Sequence, residues 1–139
     1  MSRVLVATFP FQYRTPVAVP SGLMPAIPIT LRLNVSCTVN ALLDTGASTN
    51  VIPHQLGLDL GGDWNFTPYT IPLGGALPHV RAKPLTVELI IATLPPVSQI
   101  VLWAENDSVP VILGQTNFFL EFDVCFFRAR SLLEIRPRS

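Results

Sequence analysis

The chain has 139 residues, 49% hydrophobic and 13% charged, with nine basic and nine acidic side chains and a formal net charge of zero. That length holds one compact domain, and without a basic excess the chain is not read as a nucleic-acid binder. A charged share near half the usual ~25% leaves little polar surface, so covering apolar area with a second copy of the chain is the simplest remedy.

The opening stretch MSRVLVATFPFQYR predicts a first strand over Arg3–Thr8. Pro10, Gln12 and Arg14 interrupt its apolar run, which is too short for a secretion signal or a bilayer span, so no membrane partner and a cytoplasmic setting are expected. Fourteen prolines cut the chain into short runs rich in Val, Ile, Leu, Thr and Phe, the pattern of an all-β domain. The proline-rich segment Pro10–Pro28 reads as an extended arm or loop. Strands follow at Ile27–Val35 and Thr38–Leu43, joined by a tight turn at NVSC. Alternation in ITLRLNV puts Ile29, Leu31, Leu33 and Val35 on one face, with Arg32 and Asn34 on the other.

From Asn65 to Pro84 two semi-apolar arms flank Gly74-Gly75, the pattern of a hairpin tip. Such a hairpin is either a sheet element or a mobile cover over a site. Later strands are predicted at Pro84–Ala92, Ser98–Ala104, Val109–Leu113 and Leu132–Arg136. One short helix is expected after Gly114, in QTNFFLEFDV, capped by Thr116 or Asn117 and turning Phe118, Phe119 and Phe122 inward. Asp123 falls on or just after it. Cys37 and Cys125 match no disulfide framework or zinc spacing and read as buried thiols. His54 and His79 lack an i, i+4 relation and read as surface or loop residues, so no metal is expected. Neither cysteine has the setting that lowers a thiol pKa for a Cys-His protease. Trp64 and Trp103 read as core or interface aromatics.

The stretch ALLDTGASTN raises the functional question. A carboxylate at the end of an apolar strand costs several kcal/mol unless it is paired. Asp44 is therefore a turn cap, a metal ligand or a chemical group. Gly46 lets the backbone turn closely, while Thr45 and Ser48 bring hydroxyls near the carboxylate. One carboxylate is a poor acid–base device, whereas two about 3 Å apart share one proton and serve as base and acid. The chain has a single Asp-Thr-Gly, and Asp59, Asp63, Asp107 and Asp123 lack the accompanying turn. A second carboxylate would come from a second Asp44 across a two-fold axis.

LLDTGAS, followed by VILGQTNFF, resembles the retropepsins, the retroviral-type aspartic proteases that work as homodimers of a single-domain subunit. The resemblance runs from about Ile27 to the C-terminus. It implies residues 1–26 as a proline-rich arm with the first strand, and residues 27–139 as the protease domain. It also implies Asp44 as the catalytic aspartate, supported by the loop residues Thr45, Gly46, Ala47 and Ser48. Thr45 would bond to its mate across the dimer, Gly46 would present its backbone near substrate, and Ala47 and Ser48 would line a subsite. Leu73, Gly74, Gly75 and Ala76 would form the flap over a peptide, and Ile112, Leu113 and Gly114 would pack behind the aspartate. The terminal SLLEIRP would interleave with its mate in a dimer sheet, which RVLVATF joins. Three features depart from the viral pattern: the long N-terminal arm, the extended NVIPHQLGLDLGGDW segment, and Gln115-Thr116-Asn117 in place of an Arg-Asp or Arg-Asn pair. The expected function is an aspartic endopeptidase needing no cofactor and cutting peptides at hydrophobic junctions. A homodimeric binding or scaffold module without proteolysis is the alternative, and activation by N-terminal trimming a further one.

Overall fold

A computed structural model describes residues 5–13, 22–66, 70–74 and 79–138. Strand β4 (Ala26–Arg32) folds back on β5 (Ser36–Leu43), with Ile29 opposite Val39. Ile27, Ile29 and Leu31 are buried together, as the alternation predicts. The strand stops at Arg32, however, so Val35 sits on the bend and is 52% exposed rather than inward. Strand β8 (Arg81–Ile90) pairs with β9 (Val97–Ala104), from Ala82 opposite Ala104 to Leu89 opposite Val97. The other edge of β8 is shared. Its start pairs with β7 (Ile71–Pro72), and its end pairs with β4, where Arg32 lies opposite Glu88 and is ion-paired to it.

Two very short strands, β6 (Val51–Ile52) and β10 (Ile112–Leu113), complete the sheet. Its order is β4-β5-β10-β6-β9-β8-β7, and the β4–β8 pairing closes the first six strands on themselves. Closure removes the unpaired edges that an open sheet of apolar strands would expose. The strand predicted over Val109–Leu113 survives only in its last two residues. Pro110 has no N–H to offer a ladder, and Val109 turns instead into a small second core with Leu73 and Val80. Near the N-terminus, β2 (Gln12–Tyr13) and β3 (Leu23–Met24) form a separate two-stranded pair.

The chain ends form a second sheet of β1 (Ala7–Pro10), β12 (Leu132–Pro137) and β11 (Phe122–Phe127), in the order β1-β12-β11. The first strand thus begins at Ala7; residues 1–4 of its predicted span lie outside the described residues. The predicted helix shrinks to α2 (Phe118–Glu121), and the chain is already extended at Phe122. Residues 122–127, FDVCFF, are aromatic, β-branched and alternating, which favours a strand over further helical turns. Phe118 and Phe122 stay buried and stacked, 4.8 Å between centroids, so the inward aromatics are kept by a different backbone. Asp123 lies on β11. Cys125 is exposed and Cys37 half-buried, so neither thiol is buried as expected; both alternate with residues that take the inward face.

An unforeseen helix, α1 (His54–Asp59), packs on Trp103, whose indole is fully buried. A side chain at Gly57 would overlap that indole, and one at Gly62 would meet it at 3.0 Å, so both glycines make room for one ring. Trp103 Nε1 donates to the His54 carbonyl at 2.8 Å. His54 is consequently half-buried between Trp64 and Trp103 rather than a free surface residue. Replacing Trp103 by Ala removes the ring that α1 is built around and should cost about 3–5 kcal/mol. Denaturant unfolding checks this, and an unchanged midpoint would contradict the assignment.

Candidate active site

Asp44 follows directly on β5, and its position is set by backbone. Leu42 N–H donates to Val111 O at 2.9 Å, Leu43 N–H to Pro25 O at 2.9 Å, and Asp44 N–H to Leu113 O at 3.1 Å. Strand β10 runs parallel to β5, with Ile112 opposite Leu42 and Leu113 opposite Leu43, and antiparallel to β6 on its other side. The short apolar strand is thus wedged between the strand that delivers Asp44 and the strand that leaves the loop. Gly114 ends the wedge. A side chain there would overlap the backbone of Thr49, so only glycine permits the approach.

The loop closes on the carboxylate. Gly46 N–H donates to Asp44 Oδ1 at 2.9 Å, and Ala47 N–H to Asp44 O at 3.1 Å. Asp44 is half-buried, while Thr45, Gly46 and Ser48 are exposed. The hydroxyls of Thr45 and Ser48, expected around the carboxylate, do not bond to it within the chain; Gly46 N–H is its donor among the described residues. The carbonyls of those two residues are used instead. Gln115 Nε2 donates to Thr45 O, Gln115 N–H to Ala47 O, and both Thr116 N–H and Oγ1 to Ser48 O, the last at 2.6 Å. The Gln115-Thr116-Asn117 run therefore holds its own chain's catalytic loop.

Beneath the loop lies a buried polar knot that the motif reading missed. Asn50 is fully buried and Gln99 nearly so. Asn50 Oδ1 accepts from Gly114 N–H at 3.0 Å, and its Nδ2 donates to Gln99 Oε1 at 2.8 Å and to Ile100 O. Asn117 Oδ1 accepts from Asn50 N–H at 3.2 Å, which explains why Asn117 precedes α2 without capping it. A signal existed in the sequence: Gln99 shares the inward face of its strand with Val101 and Trp103, so alternation places an amide in the core.

The hairpin expected around Gly74 is present. Leu73 N–H donates to Val80 O at 2.8 Å, Leu73 is buried, and Gly74 is exposed with open space around it. Gly75 and Ala76 lie outside the described residues. Beside Asp44 opens a cleft of about 420 Å3, with Phe11, Met24, Leu42 and Phe126 among its apolar walls and Arg128 at its border. Among the described residues no helix is long and apolar enough to cross a membrane.

Neither family models nor curated proteins match the chain. Among solved structures it is similar to a retropepsin-like aspartic protease from Rickettsia conorii, with a TM-score of 0.58 and 20% identity over 99% of this chain and 96% of that one.

Asn50→Leu would leave Gly114 N–H and the Gln99 amide buried without partners, at about 1–3 kcal/mol each. Gly114→Ala should cost a similar amount through overpacking, about 1–3 kcal/mol. Chemical unfolding of both variants tests the knot, and wild-type stability in either would refute it. Barrel, hairpin and the strand wedged behind Asp44 together give this chain a retropepsin-like fold.

Proposed function

We propose that the chain is an aspartic endopeptidase that works as a homodimer, with residues 27–139 as its proteolytic unit. The observation that carries the reading is Asp44 itself. It is a half-buried carboxylate, held by Gly46 N–H at the end of an apolar strand and bordering an open apolar cleft. A turn cap would satisfy several backbone donors; Asp44 Oδ1 takes a single one, two residues on, in a loop braced from behind by three polar residues. That is the cost of positioning a group rather than of ending a strand.

The chemistry needs two such groups. With a second Asp44 about 3 Å away, one proton is shared between the carboxylates. The ionised partner takes a proton from water, which attacks the scissile carbonyl carbon. The protonated partner donates to the carbonyl oxygen, giving a tetrahedral diol that collapses with proton transfer to the leaving nitrogen. Thr45, exposed beside the carboxylate, is the residue to brace one loop against the other. The hairpin Leu73–Val80 is the flap, adding a strand to an extended substrate. Apolar walls favour hydrophobic side chains at the scissile bond. Cleavage falls as rising pH ionises both carboxylates, because the acid partner is then lost.

A second reading has its own observation. Gln115, Thr116 and Asn117 are spent within the chain, and β12 is paired on both sides, so the contacts that the resemblance assigns to the dimer are not offered. A chain that stays monomeric would serve as a binding module. The deciding test is cleavage of a mixed peptide library from acid to neutral pH, wild type beside Asp44→Asn. The variant should lose at least about a thousandfold in rate while remaining folded. Equal cleavage by both, or none by a folded wild-type dimer, would end the protease reading.

A further inference from the structure

Strand β12 lies at the centre of the terminal sheet, with β1 on one edge and β11 on the other. It has no edge left for a mate, contrary to the interleaving that the resemblance implies. The two outer edges are unequal. β1 is four residues long and ends in Pro10, which has no N–H, a common protection against edge pairing. β11 is six residues long, contains no proline, and among the described residues pairs with β12 alone. Asp123 is its one charged residue. Phe126, on the side of β11 that faces the body of the fold, is 39% exposed and lines the cleft beside Asp44.

We propose that two copies of the chain join along β11, antiparallel about a two-fold axis at Cys125, forming one continuous six-stranded sheet. The proposal rests on the protease reading for its need of a second copy, and adds where that copy sits. Phe126 borders the Asp44 cleft and is one residue from the axis, so the pairing brings both clefts to the centre of the dimer. In this register Val124 of each chain lies opposite Phe126 of the mate. That β-branched and aromatic pair covers the exposed ring. The acidic end of one β11, at Asp123, meets the basic end of the other, at Arg128 and Arg130. An axis at Asp123 would instead set two like charges face to face. Cys125 points away from the core on both chains, so the two thiols emerge side by side on the same face of the joined sheet.

The thiols supply the test. In a Cys37→Ser chain Cys125 is the only thiol, and a short bis-maleimide at neutral pH and low protein concentration should give a covalent dimer. A Thr8→Cys thiol on the outer strand β1, in a Cys37→Ser and Cys125→Ser background, should cross-link at least about tenfold less, because its effective concentration is far lower. Phe126→Lys should sediment as a folded monomer. The proposal is overturned by a sedimenting dimer that links only through position 8 or not at all, by a dimeric Phe126→Lys chain, or by a wild type that stays monomeric. Peptide cleavage separates the two readings. A Cys125-linked dimer that cuts nothing keeps the interface and removes the protease, and a cutting dimer without the link does the reverse.

Discussion

The approach of Gly114 to Thr49 is the constraint on which the site depends. Two chain segments meet there with no room for a side chain, and everything else at the site follows from holding them at that distance. The wedge strand Ile112–Leu113 slides between β5 and β6 and fixes where Asp44 leaves the sheet. Asn50 fills the space below, its amide satisfying Gly114 on one side and Gln99 on the other. A fully buried amide network is costly when half satisfied and stiff when complete. Here it is nearly complete, and the loop above it inherits that stiffness.

Stiffness of this kind has a use only if the carboxylate must meet another group at a fixed separation. A cap or a salt bridge tolerates a few tenths of an ångström of slack, whereas a proton shared between two carboxylates does not. The chain contributes one half of such a device: a strand-end aspartate, a loop whose outward residues are exposed, and an apolar cleft at its side. The polar residues after Gly114 are turned inward to the same loop. Loop rigidity is thus supplied within one chain, leaving the terminal sheet to bring two chains together.

Much of this was legible in the sequence, for reasons that differ by element. The β4–β5 hairpin showed because its inward positions alternate strictly from Ile27 to Leu31, and the aspartate turn showed because Asp-Thr-Gly-Ala-Ser is chemically odd after an apolar run. The glycine behind it was visible as part of a motif, but its reason, contact with Thr49, is a long-range fact. Helix α1 was hidden because Gly57 breaks its apolar pattern, and that glycine is there for Trp103 rather than for the helix. Strand β11 was misread as helix because Phe118, Phe119 and Phe122 fit a helical face, while the alternation of Phe122, Val124 and Phe126 fits a strand equally well. The chain resolves that ambiguity by using both, four residues of helix and then a strand paired to β12. Asn50 escaped notice because nothing local marks an asparagine as buried; its burial depends on strands 50 residues away in sequence.

The central claim is that this chain carries half an active site. The most direct measurement is a calorimetric titration with a peptide carrying a hydroxyl-bearing tetrahedral carbon in place of the scissile carbonyl, which mimics the diol between two carboxylates. The account predicts one peptide bound per two chains in acid, and no binding to Asp44→Asn. One peptide per chain, or equal binding by the variant, would show that the carboxylates do not act as a pair.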